Sequence, residues 1–375
     1  MKLSQLGELA LLEQIRKSFY KKSKNIIVGI GDDAAVLKPL DKKLLLTTDM
    51  MVEGVHFDLG FITPYQLGFK LTSVNVSDIY AMGGKPFYLL LNLAVNKDTN
   101  TKFIASLLDG VKNAINLYDT ILIGGDLSAT NTGIALSATL VGYTKKHIKR
   151  SGANTGDRIY VTGFLGDSAC GLELLKKIRK PVPLENIKYR IQNLAPPPLT
   201  PPARGGECFK IPSPSRGEGK GGGASIDPEF WTRYSKMGLS WNMVEPLLKR
   251  HLMPQARNPK KFAQYATSMI DVSDGLLIDL SRLCSESKVG ARIYIENFPL
   301  SPALKKTAAY LGISPIKLAL SGGEDYELLF TAPATKKVKA IHIGEITESE
   351  RVIVDSSGRE RPFSAKGYQH FRNQK

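Results

Sequence analysis

Carboxylates recur where an apolar run meets a glycine or hydroxyl cluster. Asp32 and Asp33 follow Gly31, Asp49 follows Thr47-Thr48, Asp126 follows Gly124-Gly125, and Asp271 and Asp274 bracket Ser273. Asp78 stands near the C-terminal end of an expected helix, where the macrodipole disfavours an anion by up to ~1 kcal/mol. A bound cation would remove that penalty. No His or Cys accompanies these positions, and an all-oxygen donor set suits Mg²⁺, which keeps several waters and borrows substrate phosphates as ligands. The neighbouring glycines add backbone N–H groups that can approach a phosphate closely. No GxxxxGK[ST] loop and no HRD/DFG pair is present, so a nucleotide's charge would have to be met by metals rather than by a P-loop lysine. Each aspartate taken alone also reads as a turn residue, and Asp274 as a helix N-cap. Among the five histidines, His56 follows the Thr47-Thr48-Asp49 segment and also reads as a loop residue satisfied by backbone. No Ser/His/Asp or Cys/His nucleophile set has sequence support.

Alternating strands and helices must position these groups. The periodicity predicts a helix over 3–20, a strand at 44–47 ending at Thr48-Asp49, a helix over 65–82 stopped by Gly83-Gly84, and a strand over 88–95. A helix over 103–115, a short strand at 120–123 running into Gly124-Gly125-Asp126, and a strand over 134–143 follow. A second unit begins near Ser151, with strands at 158–162, 268–270 and 328–331 and helices over 172–177 and after Gly275. At roughly 150 residues per domain the length suggests two domains, here 1–150 and 151–375, in an α/β (α+β) architecture. Residues 195–223 carry seven prolines and seven glycines. They cannot sustain a helix or central strand and are expected to form a disordered surface insertion.

Composition removes several classes. Three cysteines without a CxxC pair argue against a disulfide scaffold or structural zinc and fit a reducing cytoplasm. No apolar run approaches the ~18 residues of a membrane span, and Glu8 and Glu13 interrupt the N-terminal apolar stretch, so a signal peptide is not expected. The formal charge of +16 is scattered over short groups such as Lys145, Lys146, Lys149 and Arg150, with no nucleic-acid-binding motif beside them. A noncatalytic nucleic-acid-binding role is therefore a secondary reading, and it predicts steep salt dependence without a need for Mg²⁺.

The segments GIGDDAAV, TTDMMVEGVHF, KLTSVNVSDIYAMGGKP, LIGGD, RSGANTGDRIYVTGFLGDSACGL, RHLMPQAR, IDVSDGLLIDL, SGGEDYEL and KGYQHF occur in one order. In that order the chain closely resembles the thiamine-monophosphate kinase family, over nearly its whole length except about 180–240. The resemblance implies the two-domain aminoimidazole ribonucleotide synthase-like fold, with N-terminal sheets forming a dimer barrel. It implies ATP-dependent, Mg²⁺-dependent phosphorylation of thiamine monophosphate to thiamine diphosphate. Carried over by position, Asp33, Thr47, Thr48, Asp49, Asp78, Asp126, Asp271 and Asp274 resemble Mg²⁺ ligands, and Gly125, Asp126, Arg150 and Ser273 resemble ATP contacts. Asp126 and Arg150 are the implied catalytic residues, and His56, Glu324 and Tyr368 the implied contacts to thiamine phosphate. Leu127 stands where the family often has a hydroxyl. Selenide water dikinase and hydrogenase maturation factors, of the same superfamily, call for cysteines that are missing before Cys170 and at the C-terminus, whereas aminoimidazole ribonucleotide synthase is the closer alternative.

Overall fold

The computed structural model describes the chain except residues 22, 29, 31–34, 40, 185–238, 366 and 369–375. Asp33 and the 195–223 segment lie outside the described residues. The chain opens with helices α1 (Leu3–Leu6) and α2 (Glu8–Phe19), which Gly7 separates, and a small hairpin of β1 (Ile26–Val28) and β2 (Val36–Leu37). Strand β3 (Lys43–Val52), helix α3 (Pro64–Ala81), strand β4 (Lys85–Asn96), helix α4 (Thr101–Leu117) and strands β5 (Ile121–Thr130) and β6 (Ala135–Thr144) follow. The four long strands form one sheet in the order β3-β6-β4-β5, antiparallel except for the β4/β5 pair.

The second sheet has seven strands: β7 (Asp157–Val161), β8 (Ser268–Asp271), β9 (Gly290–Tyr294), β10 (Leu328–Pro333), β11 (Ile341–Thr347), β12 (Arg351–Val354) and β13 (Glu360–Pro362). Their order is β13-β12-β9-β11-β7-β10-β8. Helices α5 (Asp167–Ile178), α6 (Trp241–Leu252), α7 (Leu276–Ser287), α8 (Pro302–Leu311) and α9 (Pro315–Ser321) complete this half. The mixed α/β class is as the alternation of elements implied. Among the described residues no helix is long and apolar enough to cross a membrane.

Two expected strand ends are corrected. β3 continues through Asp49 to Val52, and β5 continues through Gly124-Gly125-Asp126 to Thr130. Both are edge strands held in register by a long neighbour: Asp49 stands opposite Ala138 and Asp126 opposite Asn92. Ladder pairing overrides the local break signal of the hydroxyl and glycine pairs. Gly125 is required there, because at φ 152° a Cβ would collide with the Leu91 carbonyl.

Helix α3 is the strut between the halves. Thr63 caps it, accepting the Gln66 amide at 3.3 Å while Gln66 returns its side-chain oxygen to the Thr63 amide, and Pro64 fits the first turn. The helix stops where Gly83 takes φ 70°. Almost every side chain between is buried, because one face packs on β3 and β6, another on α4 and a third on β8. The α3/α4 contact is close because it is glycine on both sides. A Cβ on Gly68 would meet the Leu107 carbonyl, and one on Gly110 the Tyr65 carbonyl. Ala is favoured over Gly in a helix by ~1 kcal/mol, yet Gly110→Ala is expected to lose roughly 1–3 kcal/mol net through overpacking. A urea denaturation curve at or above the wild-type midpoint would contradict this.

Candidate active site

The alternation of β3 divides its polar residues. Thr47 and Asp49 face α3, while Thr48 faces the other way and spends its hydroxyl on the Ala138 carbonyl at 3.1 Å. Thr47 Oγ1 donates to Asp78 Oδ2 at 2.5 Å, the Asp49 amide donates to Asn75 Oδ1 at 3.2 Å, and Ser77 Oγ donates to Asp271 Oδ2 at 2.6 Å. One turn of α3 thus ties β3 to the end of β8 and gathers Asp49, Asp78 and Asp271 in the seam between the two sheets. A cleft of about 240 Å³ opens there, lined by Thr47, Asp78 and Ile79 on one side and by Arg150, Met269 and Asp271 on the other.

These carboxylates are costly to ionise together. Burial raises Asp49 to about 7, with Asp78 and Asp274 adding to the rise. Burial also raises Asp78, against the Thr47 hydrogen bond and the Arg150 charge. Asp271 is pushed well above the carboxylate range by burial and then by Asp78. Among the described residues no three His, Cys, Asp or Glu side chains cage an ion unaided. Hard oxygens with mutual repulsion and an adjoining cleft nonetheless fit Mg²⁺, which takes one or two carboxylates and completes its shell with water and phosphate.

The Asp49 shift sets a pH dependence. Its folded pKa exceeds the unfolded value of ~3.9, so its ionised form opposes folding. The penalty is absent below ~3.9, grows as pH rises and is complete above about 7. Asp49→Asn removes it. Without divalent cation, the variant's Tm advantage over wild type is expected to widen from pH 5 to pH 8, on the order of 5 °C. Scanning calorimetry at the two pH values checks this, and a flat or narrowing difference refutes it.

The remaining predicted residues fall at different distances from this group. Asp274 Oδ2 pairs with Arg282 Nη1 at 2.6 Å. It does not cap α7, since the amides of Ser273, Asp274 and Gly275 all donate to Asp279 Oδ2. The Ser273 carbonyl accepts the Glu324 amide at 2.7 Å, and the Asp274 carbonyl accepts the Tyr368 amide at 3.0 Å, so both residues join this loop. His56 Nδ1 accepts the Val52 amide at 3.0 Å, just beyond β3, which leaves the proton on Nε2 in the neutral ring. Asp126 and Gly125 are not brought to the carboxylate group. They are exposed on β5, three strand spacings from β3 in a sheet with roughly 4.8 Å between strands.

Sequence reasoning missed Lys70. It is 1% exposed on α3, and its Nζ lies 2.8 Å from Glu324 Oε1, while His251 Nδ1 lies 3.0 Å from Oε2. The signal was a lysine inside the apolar run Phe69-Lys70-Leu71. Asn75, Ser77 and Asp279 were also missed. The two arginines of the RHLMPQAR segment prove to be packing: Arg250 Nη1 and Arg257 Nε hold the fully buried Glu327 at 2.7 and 2.6 Å, and Thr162 Oγ1 donates to it at 2.6 Å.

Residues 31–144 match the family model for the AIR synthase related protein, N-terminal domain, and residues 230–356 that for its C-terminal domain. The thiamine-monophosphate kinase of Aquifex aeolicus is 35% identical over 99% of this chain and 100% of its own length. The chain belongs to the thiamine-monophosphate kinase family. A solved structure of that family, AaThiL complexed with AMPPCP and TMP, superposes with a TM-score of 0.68 at 33% identity, covering 99% of both chains. The thiamine-monophosphate kinase from Stenotrophomonas maltophilia gives 0.70 at 28% identity, over 95% of this chain and 98% of its own. Within the thiamine-monophosphate kinase family, then, the carboxylate seam around α3 is the feature of this chain that needs a chemical account.

Proposed function

We infer that the protein transfers a phosphoryl group from ATP to thiamine monophosphate, producing thiamine diphosphate and ADP. The observation that carries this reading is the pair Asp78 and Asp271 in the intersheet cleft, with Asp49 tied to the same turn of α3, in a chain that aligns end to end with thiamine-monophosphate kinases. The acceptor is a phosphomonoester with a second pKa near 6, already largely dianionic at pH 7. No general base is needed, which agrees with the scarcity of histidines, five in the chain. The task left to the protein is to bring two polyanions together in line and to stabilise charge during transfer.

Asp49, Asp78 and Asp271, with Thr47, Asp33 and Asp274, are the proposed Mg²⁺ ligands at the seam, and Thr48 and Asp126, which lie away from that group, are proposed to hold further Mg²⁺. Bound Mg²⁺ supplies charge neutralisation to the phosphates. Arg150, beside Asp78 in the cleft, is proposed to clamp a phosphate, with Gly125, Asp126 and Ser273 contacting ATP. His56, Glu324 and Tyr368 are the proposed contacts to the acceptor. A homodimer is proposed as well. Leu44, Leu46 and Met50 are 59%, 70% and 59% exposed on edge strand β3, an apolar face suited to a second copy and to closing a barrel. The reading places the enzyme in the cytoplasm, in line with the buried free thiols of Cys170 and Cys284.

The test is thiamine diphosphate formation from thiamine monophosphate and ATP, with and without Mg²⁺, beside Asp126→Asn. Product that requires both Mg²⁺ and Asp126 is expected. Product formed equally in EDTA would refute the metal-centred mechanism, and folded protein that forms none would refute the acceptor assignment.

A further inference from the structure

The loop after α9, hydrogen-bonded to the loop after β8, meets charges that phosphoryl transfer does not use. Lys70 and His251 side chains are 1% and 7% exposed, whereas their common partner Glu324 is 30% exposed. The pair therefore leaves its carboxylate partly accessible and keeps its ammonium behind. Ser168 Oγ lies 3.1 Å from the same His251 Nδ1 that faces Glu324, so the two share that ring nitrogen. Glu324 sits at φ 65° and Tyr326 at φ 50°, left-handed positions for non-glycine residues on both sides of Asp325. Such strain collects where a loop is held for a task. The Tyr326 amide donates to the Val272 carbonyl at 2.9 Å and the Glu324 amide to the Ser273 carbonyl at 2.7 Å, which ties this loop to the residues that follow Asp271. A buried Lys–Glu pair seldom improves stability over apolar residues of the same volume, so stability does not account for Lys70.

The geometry also bears on what Glu324 can read. Each carboxylate oxygen is engaged once by the protein and keeps a further lone pair. The ammonium at 2.8 Å cancels most of the carboxylate's field beyond contact range. An approaching ring cation meets a nearly neutral pair, whereas an N–H donor in contact still finds a charged acceptor. We propose that Glu324 recognises the amino N–H donor of the substrate's pyrimidine ring rather than the positive charge of its thiazolium ring, with Lys70 and His251 as the positioning residues that hold it there. The proposal rests on the reading that thiamine monophosphate is the acceptor and that Glu324 faces it.

Three acceptors separate the alternatives on the full chain with ATP and Mg²⁺. They are thiamine monophosphate, its analogue with oxygen in place of the pyrimidine amino group, and its analogue with a neutral thiophene in place of the thiazolium. KM is expected to stay within about threefold for the thiophene analogue and to rise about tenfold or more for the oxygen analogue. Lys70→Met is expected to raise KM for thiamine monophosphate about tenfold with KM for ATP unmoved, and Lys70→Arg to restore part of it. A merely structural Lys70 would lower the folded fraction, and so kcat, without moving KM. The double variant Lys70→Met/Glu324→Leu keeps the seam neutral, and there the oxygen-analogue penalty is expected to vanish. A penalty falling on the thiophene analogue instead, one that survives the double variant, or an unmoved KM in Lys70→Met each overturns the proposal. Wild-type protein that is folded and phosphorylates no acceptor sinks the underlying acceptor reading instead, which the other outcomes leave standing.

Discussion

Asp271→Asn is expected to cut thiamine diphosphate formation about 10²–10³-fold while leaving the thermal midpoint unchanged or raised. The two readouts move apart because Asp271 is bad for the fold. It is buried, and burial and Asp78 push its carboxyl well above the ordinary range. Asn keeps the shape and can still accept the Ser77 hydroxyl through its amide oxygen. It removes the charge that repels Asp78 and, in the proposed mechanism, the charge that holds the metal. Ser77→Ala offers a graded comparison, since it only frees the Asp271 carboxylate to turn, and about a tenfold loss is expected. Both are read from initial rates at saturating ATP and Mg²⁺ alongside calorimetry. An Asp271→Asn protein that keeps full activity, or one whose lost activity follows a lower midpoint, would refute the account.

Glu327→Gln carries the largest expected stability effect, a loss of roughly 3–5 kcal/mol. Glu327 is wholly buried and answers two guanidiniums. Arg257 reaches it through both Nε and Nη2, at 2.6 and 2.8 Å. Removing the anion strands two cations in the same pocket, and burial without a counterion is what costs. Arg250 and Arg257 belong to α6 and the loop after it, Thr162 directly follows β7, and Glu327 directly precedes β10, so the loss should spread through the second half of the chain. Equilibrium unfolding in urea, followed by fluorescence, measures it. A midpoint within error of wild type would show that the pair contributes nothing net.

Much of the frame was legible because it rests on local pattern. The helix expected over 65–82 is Pro64–Ala81, and the strand at 268–270 is Ser268–Asp271. The errors share one cause. Thr48-Asp49 and Gly124-Gly125 look like strand ends in isolation, and only the register with β6 and β4 carries those strands onward. Asp274 looked like a helix cap, but Asp279, one turn into α7, takes the amides that a cap would take. Asp49 and Asp78 were singled out by chemistry, and the structure brings them into one seam. Lys70, His251 and Glu324 could not be joined on paper, since their contact exists only after the two halves close on α3.

The strand connectivity carries a consequence for how the protein is made. The first sheet is contiguous in the chain, and its last strand is complete at Thr144. The second sheet is assembled from a longer span, 157–362. Val161 of β7 waits for Leu329 and Ile341 on either side of it, so that strand stays unpaired until the ribosome has almost finished, many seconds later at ~5–20 residues per second. The first half will therefore compact while the apolar run 159–161 is still without partners. Aggregation during expression should start from that strand, and slower translation of the stretch before residue 328 should make it worse.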